Sequence, residues 1–433
     1  MQSNSVPLGW LDCSLGNAIV RVVGGGTPSR SIPGYWVGNI PWASVKDFTD
    51  DTKWLSETEE HISPAGLASS TANLIEPGIP IVCTRMAVGR AAIPLKPIAI
   101  NQDLKALYPH KYLDPRYLLI LLNFIRPRFE ALSIGSTVKG INVDQLLAVR
   151  VCFPPLDEQR RIVEILDTID STIAHTSSLI AKLKQMKAGL LHDLLTRGLD
   201  ENGELRDAIG HPEQFQDSPL GQIPKDWNVR LVGEVFDLQL GKMLSKASKI
   251  GHSPFPYLAN RNVQWDEVVL SDLEWMDFND NEREKFSLLP GDLLVCEGGE
   301  SGRTALWKGE MENCYFQKAI HRLRPKDSQV LPDYMLRFMR RAFEHGFLTS
   351  FTSQTSITHL TREKFALLPL PLPKVEEQKA IVNVLDSLDT SIRTEEAYRE
   401  KLKLQKKGLM HDLLTGKVRV KDADKFTSAS DTV

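Results

Sequence analysis

The sequence predicts a mixed α/β protein: two globular α/β halves related by a pseudo-two-fold axis and joined by two long helices that form an antiparallel coiled coil. Three observations predict it. Residues 155–196 and 374–415 align without a gap, with 19 of 42 positions identical at an offset of 219. Solenoid units recur every ~20–50 residues, so a period of 219 implies a duplicated domain. Both copies carry apolar residues at 4-3 spacing, the mark of a coiled-coil seam. Outside the copies, Pro-Gly turns, strand-like runs and proline-opened helices recur in the same order.

The first half, residues 1–153, opens with Pro7-Leu8-Gly9-Trp10, matched later by Pro224-Lys225-Asp226-Trp227. Pro77-Gly78 leads to Val82-Cys83 and then Gly89-Arg90; Pro290-Gly291, Val295-Cys296 and Gly302-Arg303 repeat the series at an offset of 213. Each Pro-Gly reads as a turn and the apolar run after it as a strand. Pro115-Arg116-Tyr117-Leu118-Leu119 and Pro332-Asp333-Tyr334-Met335-Leu336 each open a helix with proline in the first turn. Ser/Thr-rich loops, Ser133–Lys139 and Thr349–Thr358, come before a short helix and a final strand.

The first long helix occupies 154–198. Proline stops the preceding strand, and Asp157 and Glu158 fill the first turn, where the macrodipole favours acidic groups. Its seam runs Ile162, Leu166, Ile169, Ile173, Thr176, Ile180, Leu183, Lys187, Leu190 and Leu194, eight of ten apolar. The polar, turn-rich segment 199–222 reads as a linker to the second half, 223–370. The second long helix, 371–416, keeps Ile381, Leu385, Leu388, Ile392, Leu402, Leu409 and Leu413 but places Glu395, Arg399 and Lys406 in the seam. Its middle is therefore poorer, through a skipped register or because another chain packs there. Each seam has two possible covers, its own globular domain or the other helix, and pairing would make a stiff spacer. A polar tail, 417–433, follows.

Bulk properties exclude several classes. No apolar run approaches the ~18–20 residues of a membrane span, and the first residues lack the basic and apolar regions of a secretory signal. The five cysteines, Cys13, Cys83, Cys152, Cys296 and Cys314, form no Cys-x-x-Cys pair, which favours reduced thiols and a cytoplasmic setting. Net charge is −3, against a non-specific nucleic-acid binder. The distribution is less neutral. Residues 42–76 hold seven acidic and two basic residues, then 78–140 hold nine basic and three acidic; 260–300 hold eleven acidic and three basic, then 302–343 nine basic and four acidic. Such runs are often solvated faces, but their recurrence in both halves favours phosphate contact.

The halves diverge at 26–60 and 240–285, where the frame is shared and the loops are not. Side chains with fork or amide geometry for base edges there and nearby are Asn39, Arg85, Arg90 and Lys139 in the first half, and Lys242, Asn260, Arg261, Arg303 and Lys318 in the second. Each has phosphate contact or simple solvation as its alternative. Catalytic signatures are missing. Asp114-Pro115-Arg116-Tyr117 lacks the second proline of an adenine-methyltransferase motif, and Gly24-Gly25-Gly26 is no dinucleotide fingerprint and reads as a flexible loop. Asp51-Thr52-Lys53 and Asp103-Leu104-Lys105 have nuclease-like spacing but no repeat partner. His192 and His411, each followed by Asp, sit at helix C-termini, where a structural or docking role suits a cation.

The paired Pro-rich openings with Glu158-Gln159 and Glu377-Gln378, and the helix ends Gly-Leu-(Leu/Met)-His-Asp-Leu-Leu-Thr, resemble the specificity subunit of type I restriction-modification systems. Gly25 through Ser29, Ile223-Pro224…Trp227 and the tyrosine-leucine helices match as well, so the resemblance spans essentially the whole chain. It implies two target recognition domains, each reading one part of a bipartite site in double-stranded DNA. It implies a coiled coil that sets the gap and docks two methyltransferase subunits, with motor-nuclease subunits joining them. S-adenosylmethionine, ATP and Mg2+ would then be bound by those partners, with no cofactor, metal or catalysis on this chain. A pseudo-symmetric adaptor that holds two proteins without touching bases is the competing class; the polarised halves and divergent loops favour DNA reading.

Overall fold

A computed structural model of the chain describes residues 6–135, 139–245, 254–351 and 359–420. The tail 417–433 and the Ser/Thr-rich stretches Ser133–Lys139 and Thr349–Thr358 therefore lie partly outside the described residues. The chain divides into two compact units, Met1–Ser177 with Ala397–Val433, and Ser178–Glu396.

In the first unit, strand Leu11–Ser14 pairs antiparallel with Arg150–Phe153. A five-stranded sheet has the spatial order Ile19–Gly24, Leu104–Pro109, Ile81–Cys83, Ala91–Pro94, Trp54–Leu55, and a four-stranded sheet runs Glu60–Ile62, Ile40–Ala43, Ile98–Ile100, Asn73–Ile75. Strands Ile81–Cys83, Ala91–Pro94 and Ile98–Ile100 are buried throughout, which explains their unbroken apolar runs. Helix α1 (Pro115–Leu132) starts where Asp114 accepts from the Arg116 and Tyr117 amides at 2.8 and 3.2 Å. Helix α2 (Leu156–Leu194) follows.

The second unit repeats this plan. Asn228–Leu231 pairs with Pro369–Leu372. A four-stranded sheet orders Phe236–Leu240, Ile320–Pro325, Leu293–Cys296, Thr304–Leu306, and a three-stranded sheet Glu274–Asp277, Pro254–Leu258, Tyr315–Phe316. Helix α3 is Pro332–Glu344 and helix α4 Val375–Leu414. The Pro-Gly turns are alike: Gly78 and Gly291 take φ 86° and 96°, and their amides donate to Pro94 and Trp307 carbonyls at 3.0 and 2.8 Å. Segment 199–222 has structure of its own, for strands Phe215–Ser218 and Gly221–Pro224 form a hairpin.

Each long helix lends one half to each unit, and the halves pack antiparallel. In the first unit Glu158 meets Arg419 at 2.8 Å and Asp170 meets Lys406 at 2.6 Å, so numbers rise on one side and fall on the other. In the second, Lys184 meets Glu396 at 2.7 Å and Lys187 meets Asp389 at 2.5 Å. Lys187 and Lys406, the equivalent lysines of the two seams, are thus answered by equivalent aspartates. Ile162, Leu166, Thr176, Ile180, Leu194, Ile381, Leu385, Ile392, Leu402 and Leu413 are buried, whereas Ile169, Ile173, Leu183 and Leu388 are half-buried. Toward the C-terminal ends the pattern slips by one residue: Leu191 is buried beside half-buried Leu190, and Leu409 is exposed while Met410 packs inward. Leu409, expected to pack against the other helix or a partner subunit, is 37% exposed and does not face the other helix. An unsupercoiled helix drifts ~20° per heptad from a 3.5-residue repeat, enough after four heptads to change the inward residue.

The duplicated Glu-Gln pairs lock these helices to their domains. Gln159 is fully buried; its amide donates to Tyr112 and Pro154 carbonyls (2.9 and 2.8 Å) and its oxygen accepts from the Asp114 amide at 2.8 Å. Gln378 repeats this with Gln329 and Pro373 carbonyls (2.8 and 2.9 Å) and the Leu331 amide at 2.9 Å. Glu377 accepts from Arg206 at 2.6 Å, the Leu199 amide at 2.8 Å and the Trp227 ring at 3.1 Å. Glu158 accepts from Arg419 and, at 3.2 Å, from the Val420 amide.

Candidate nucleic-acid interface

One loop frame is built twice, in residues 83–90 and 296–303. In the first unit the Cys83 amide donates to Arg90 O at 2.8 Å, Thr84 to Asp103 O at 2.8 Å, Gly89 to Cys83 O at 2.9 Å, Arg90 to Ala87 O at 3.1 Å, and Ile141 to Thr84 O at 2.9 Å. In the second the matching bonds are Cys296 to Arg303 O (2.8 Å), Glu297 to Ala319 O (2.9 Å), Gly302 to Cys296 O (2.9 Å), Arg303 to Glu300 O (3.1 Å) and Leu360 to Glu297 O (2.8 Å). A β-bridge joins Arg85 to Gly140, and its counterpart joins Gly298 to His359. Gly89 and Gly302 take φ 82° and 94°, so glycine is required at both. What hangs on this frame differs. Thr84, Arg85 and Met86 stand where the second unit has Glu297, Gly298 and Gly299.

The nine candidate readers fall into two groups. Arg85 and Lys139 come together: the Met86 amide between them donates to Lys139 O at 2.9 Å, both side chains are exposed, and Arg85 reaches Asp103 only at 3.5 Å. Asn39 and Lys318 are exposed too. The other five have protein partners. Arg90 donates to Phe48 O at 2.9 Å and Asp50 at 3.0 Å; Arg303, its repeat partner, donates to Asn260 O at 2.8 Å and meets Glu300 at 3.4 Å. Lys242 donates to Asp277 O (2.6 Å) and Glu282 (2.7 Å). Arg261 pairs with Glu274 at 2.9 Å, and the Asn260 amide donates to Gly298 O at 2.9 Å while its buried Oδ1 has no partner among the described residues.

The charge runs are therefore partly internal. Arg126 and Arg90 hold the Asp50 carboxyl below the usual range, and Lys96 does the same to Glu57, so the acidic stretch of the first unit takes up part of its basic one. The glycine run is also more constrained than a flexible loop. A Cβ on Gly25 would run into the Ile100 and Asn101 carbonyls, Gly26 donates to Ile100 O at 3.0 Å, and the Trp42 ring donates to Gly26 O at 3.0 Å. Gly241 makes the same close approach to Phe316 and Gln317, so two loops that hardly align leave from equivalent seats.

Sequence reasoning passed over three features. Glu297 lies in the second frame, where burial pushes its carboxyl up while His359 and Lys318 pull it down. Trp265 donates to Glu300 at 2.8 Å and lies under Arg340 at 4.8 Å. Arg30 sits 3.5 Å over the Trp36 ring and pairs with Glu60. Only Glu297 had a signal, the 213-residue offset that matches it to Thr84. Among the described residues no group of three or more His, Cys, Asp or Glu could hold a metal, and no helix is long and apolar enough to cross a membrane.

Comparison with known proteins names the duplicated architecture. The type I restriction modification DNA specificity domain matches twice, at residues 10–185 and 224–404. The type I restriction enzyme MjaVIII specificity subunit of Methanocaldococcus jannaschii is 23% identical over 430 residues, 98% of this chain and 96% of that one. Among solved structures, a chain from work on the assembly and conformational transition of the type I restriction-modification system superposes with a TM-score of 0.63 at 17% identity, covering 96% of this chain and 100% of that one. The HsdS subunit of Thermoanaerobacter tengcongensis gives 0.56 at 16% identity, covering 96% and 99%. The chain belongs to the family of type I restriction-modification DNA specificity subunits.

Proposed function

We propose that each unit reads one half of a bipartite site in double-stranded DNA, with the long helices fixing the gap and holding two methyltransferase subunits. The observation that carries this reading is the duplicated loop frame with unlike side chains. Matching backbone bonds at 83, 84, 89 and 90 and at 296, 297, 302 and 303 frame Arg85 and Met86 in one unit and Gly298 and Gly299 in the other. One frame with two sets of tip residues suits two different half-sites. Arg85, Lys139, Asn39 and Lys318 are the readers or phosphate contacts; Arg90 and Arg303 hold the frame, Lys242 is tied to Asp277 and Glu282, and Asn260 and Arg261 sit beside the frame. The chain itself carries out no catalysis. Motor-nuclease subunits complete the complex in the cytoplasm, and S-adenosylmethionine, ATP and Mg2+ belong to the partners.

Docking has its own support. Leu179, Leu183, Met186 and Leu190 form a 4-3-4 stripe on α2, with Leu179 43% and Met186 53% exposed; the equivalent α4 positions include Tyr398 at 46% and Leu409 at 37%. Apolar area left at least partly open at the equivalent pairs Leu179/Tyr398 and Leu190/Leu409, with Met186 matched by Gln405, suits one kind of partner binding twice. The test is to express this chain with the methyltransferase subunit encoded beside it and map N6-methyladenine across the host genome. Methylation confined to a two-part motif with a fixed gap is expected. A stable complex that methylates no split motif would favour the adaptor instead.

A further inference from the structure

Resting on that DNA-reading role, we infer that Met86 determines specificity in the first unit, its side chain contacting the C5-methyl group of a thymine in the major groove. Met86 has φ 62°, a left-handed conformation that side chains other than Gly, Asn and Asp seldom adopt. Its counterpart Gly299 has φ 74°, so the conformation belongs to the shared frame and the second unit meets it with the residue that suits it. The first unit carries a large side chain there against the steric preference. That side chain gives little back to the fold, because Met86 is 68% exposed.

The surroundings point to a nucleic acid. Ile134, 72% exposed, bridges Gly140, which also bridges Arg85, so two open apolar side chains share the tip with Arg85 and Lys139. Apolar groups flanked by cations match a base edge between phosphates. A narrow ribbon of bridged segments fits a major groove ~12 Å wide, and there thymine is the base that offers an apolar group, its methyl. An unbranched thioether adapts to such a contact.

The experiment uses the complex with its methyltransferase subunit, once its methylation motif is known. Affinity is measured for duplexes in which each thymine of both half-sites is replaced in turn by deoxyuridine, which removes the methyl and keeps every hydrogen-bonding group. Wild type should lose roughly four-fold at one thymine of one half-site, the worth of one buried methyl. Met86→Gly should abolish that difference, leave the other half-site unaffected, and melt no lower than wild type, since glycine suits the backbone. Insensitivity of wild type to every substitution, or thymine-uracil discrimination that persists in Met86→Gly, would overturn the inference while leaving a split motif intact. A complex with no split motif would remove the DNA-reading role and this inference together.

Discussion

Replacing Gln378 by Leu should destabilise the second unit by about 3 kcal/mol. The residue is fully buried and its side chain is bonded only to backbone: the Leu331 amide at 2.9 Å and the Gln329 and Pro373 carbonyls at 2.8 and 2.9 Å. Leucine has a similar volume, so packing changes little and the polar groups left behind dominate. Each orphaned buried group costs ~1–3 kcal/mol, and the carbonyls, with two lone pairs, fall at the low end. Three such groups, less the gain from burying a more apolar side chain, leave about 3 kcal/mol. Urea denaturation followed by circular dichroism gives the value from the shift in midpoint at constant slope. Gln378→Glu supplies the control. It keeps an acceptor for Leu331 but turns a carboxylate toward two carbonyl oxygens, so it should be at least as damaging as Leu. A loss below about 1 kcal/mol, or a glutamate milder than leucine, would refute the network's importance. Gln159→Leu should behave alike in the first unit, since its three bonds span the same 2.8–2.9 Å.

His321 is fully buried, its ring donates to Leu360 O at 2.7 Å, and burial pushes its pKa down to about 4 from 6.5. Below pH 6.5 the unfolded chain takes up a proton the folded one refuses, so stability should fall between pH 6.5 and 4 by up to about 3 kcal/mol. His321→Gln should flatten that slope relative to wild type in denaturation at stepped pH, and an unchanged slope would contradict the assignment. Adding four residues to each long helix lengthens it by ~6 Å, just under two base-pair steps. The methylation motif should widen its gap and keep both half-sites, and a changed half-site with an unchanged gap would sink the spacer reading. Arg85→Ala should weaken DNA binding with unaltered thermal stability. Arg90→Ala should lower the melting temperature, because Arg90 ties the loop at Phe48 and Asp50 to the frame.

The two long helices and their antiparallel pairing were legible because periodicity and duplication are one-dimensional signals, whereas sequence alone sets their ends too wide: they run Leu156–Leu194 and Val375–Leu414, and 371–372 belong to the preceding strand. The end of the seam was not, since a 3.5-residue template carries Leu409 inward and the helix presents Met410. Among candidate readers, residue type alone could not separate Arg85 from Arg90. Both are arginines in a basic stretch, and only folding brings Asp50, 40 positions away, against one of them. Gly25 likewise read as flexible because its constraint is a carbonyl at residue 100, invisible from local sequence.

The distribution of identity between the halves follows from which atoms bear the bonds. Where a side chain holds backbone in place, the two copies agree: Gln159 and Gln378, Glu158 and Glu377, Arg90 and Arg303. At 84–88 and 297–301 the backbone bonds to itself, and every residue differs between the copies. A loop fastened mainly by its own amides and carbonyls accepts new side chains at the loss of few bonds, such as those from Thr84 Oγ1 to Asp103 O and from the Trp265 ring to Glu300, apart from the glycine demanded at 89 and 302. The fold thereby separates what must stay constant, the attachment of domain to helix, from what can change, the tip. On the proposed DNA-reading role, a change of target sequence would call for substitutions at the tip and leave the frame constant, and either half could change while the other keeps its own.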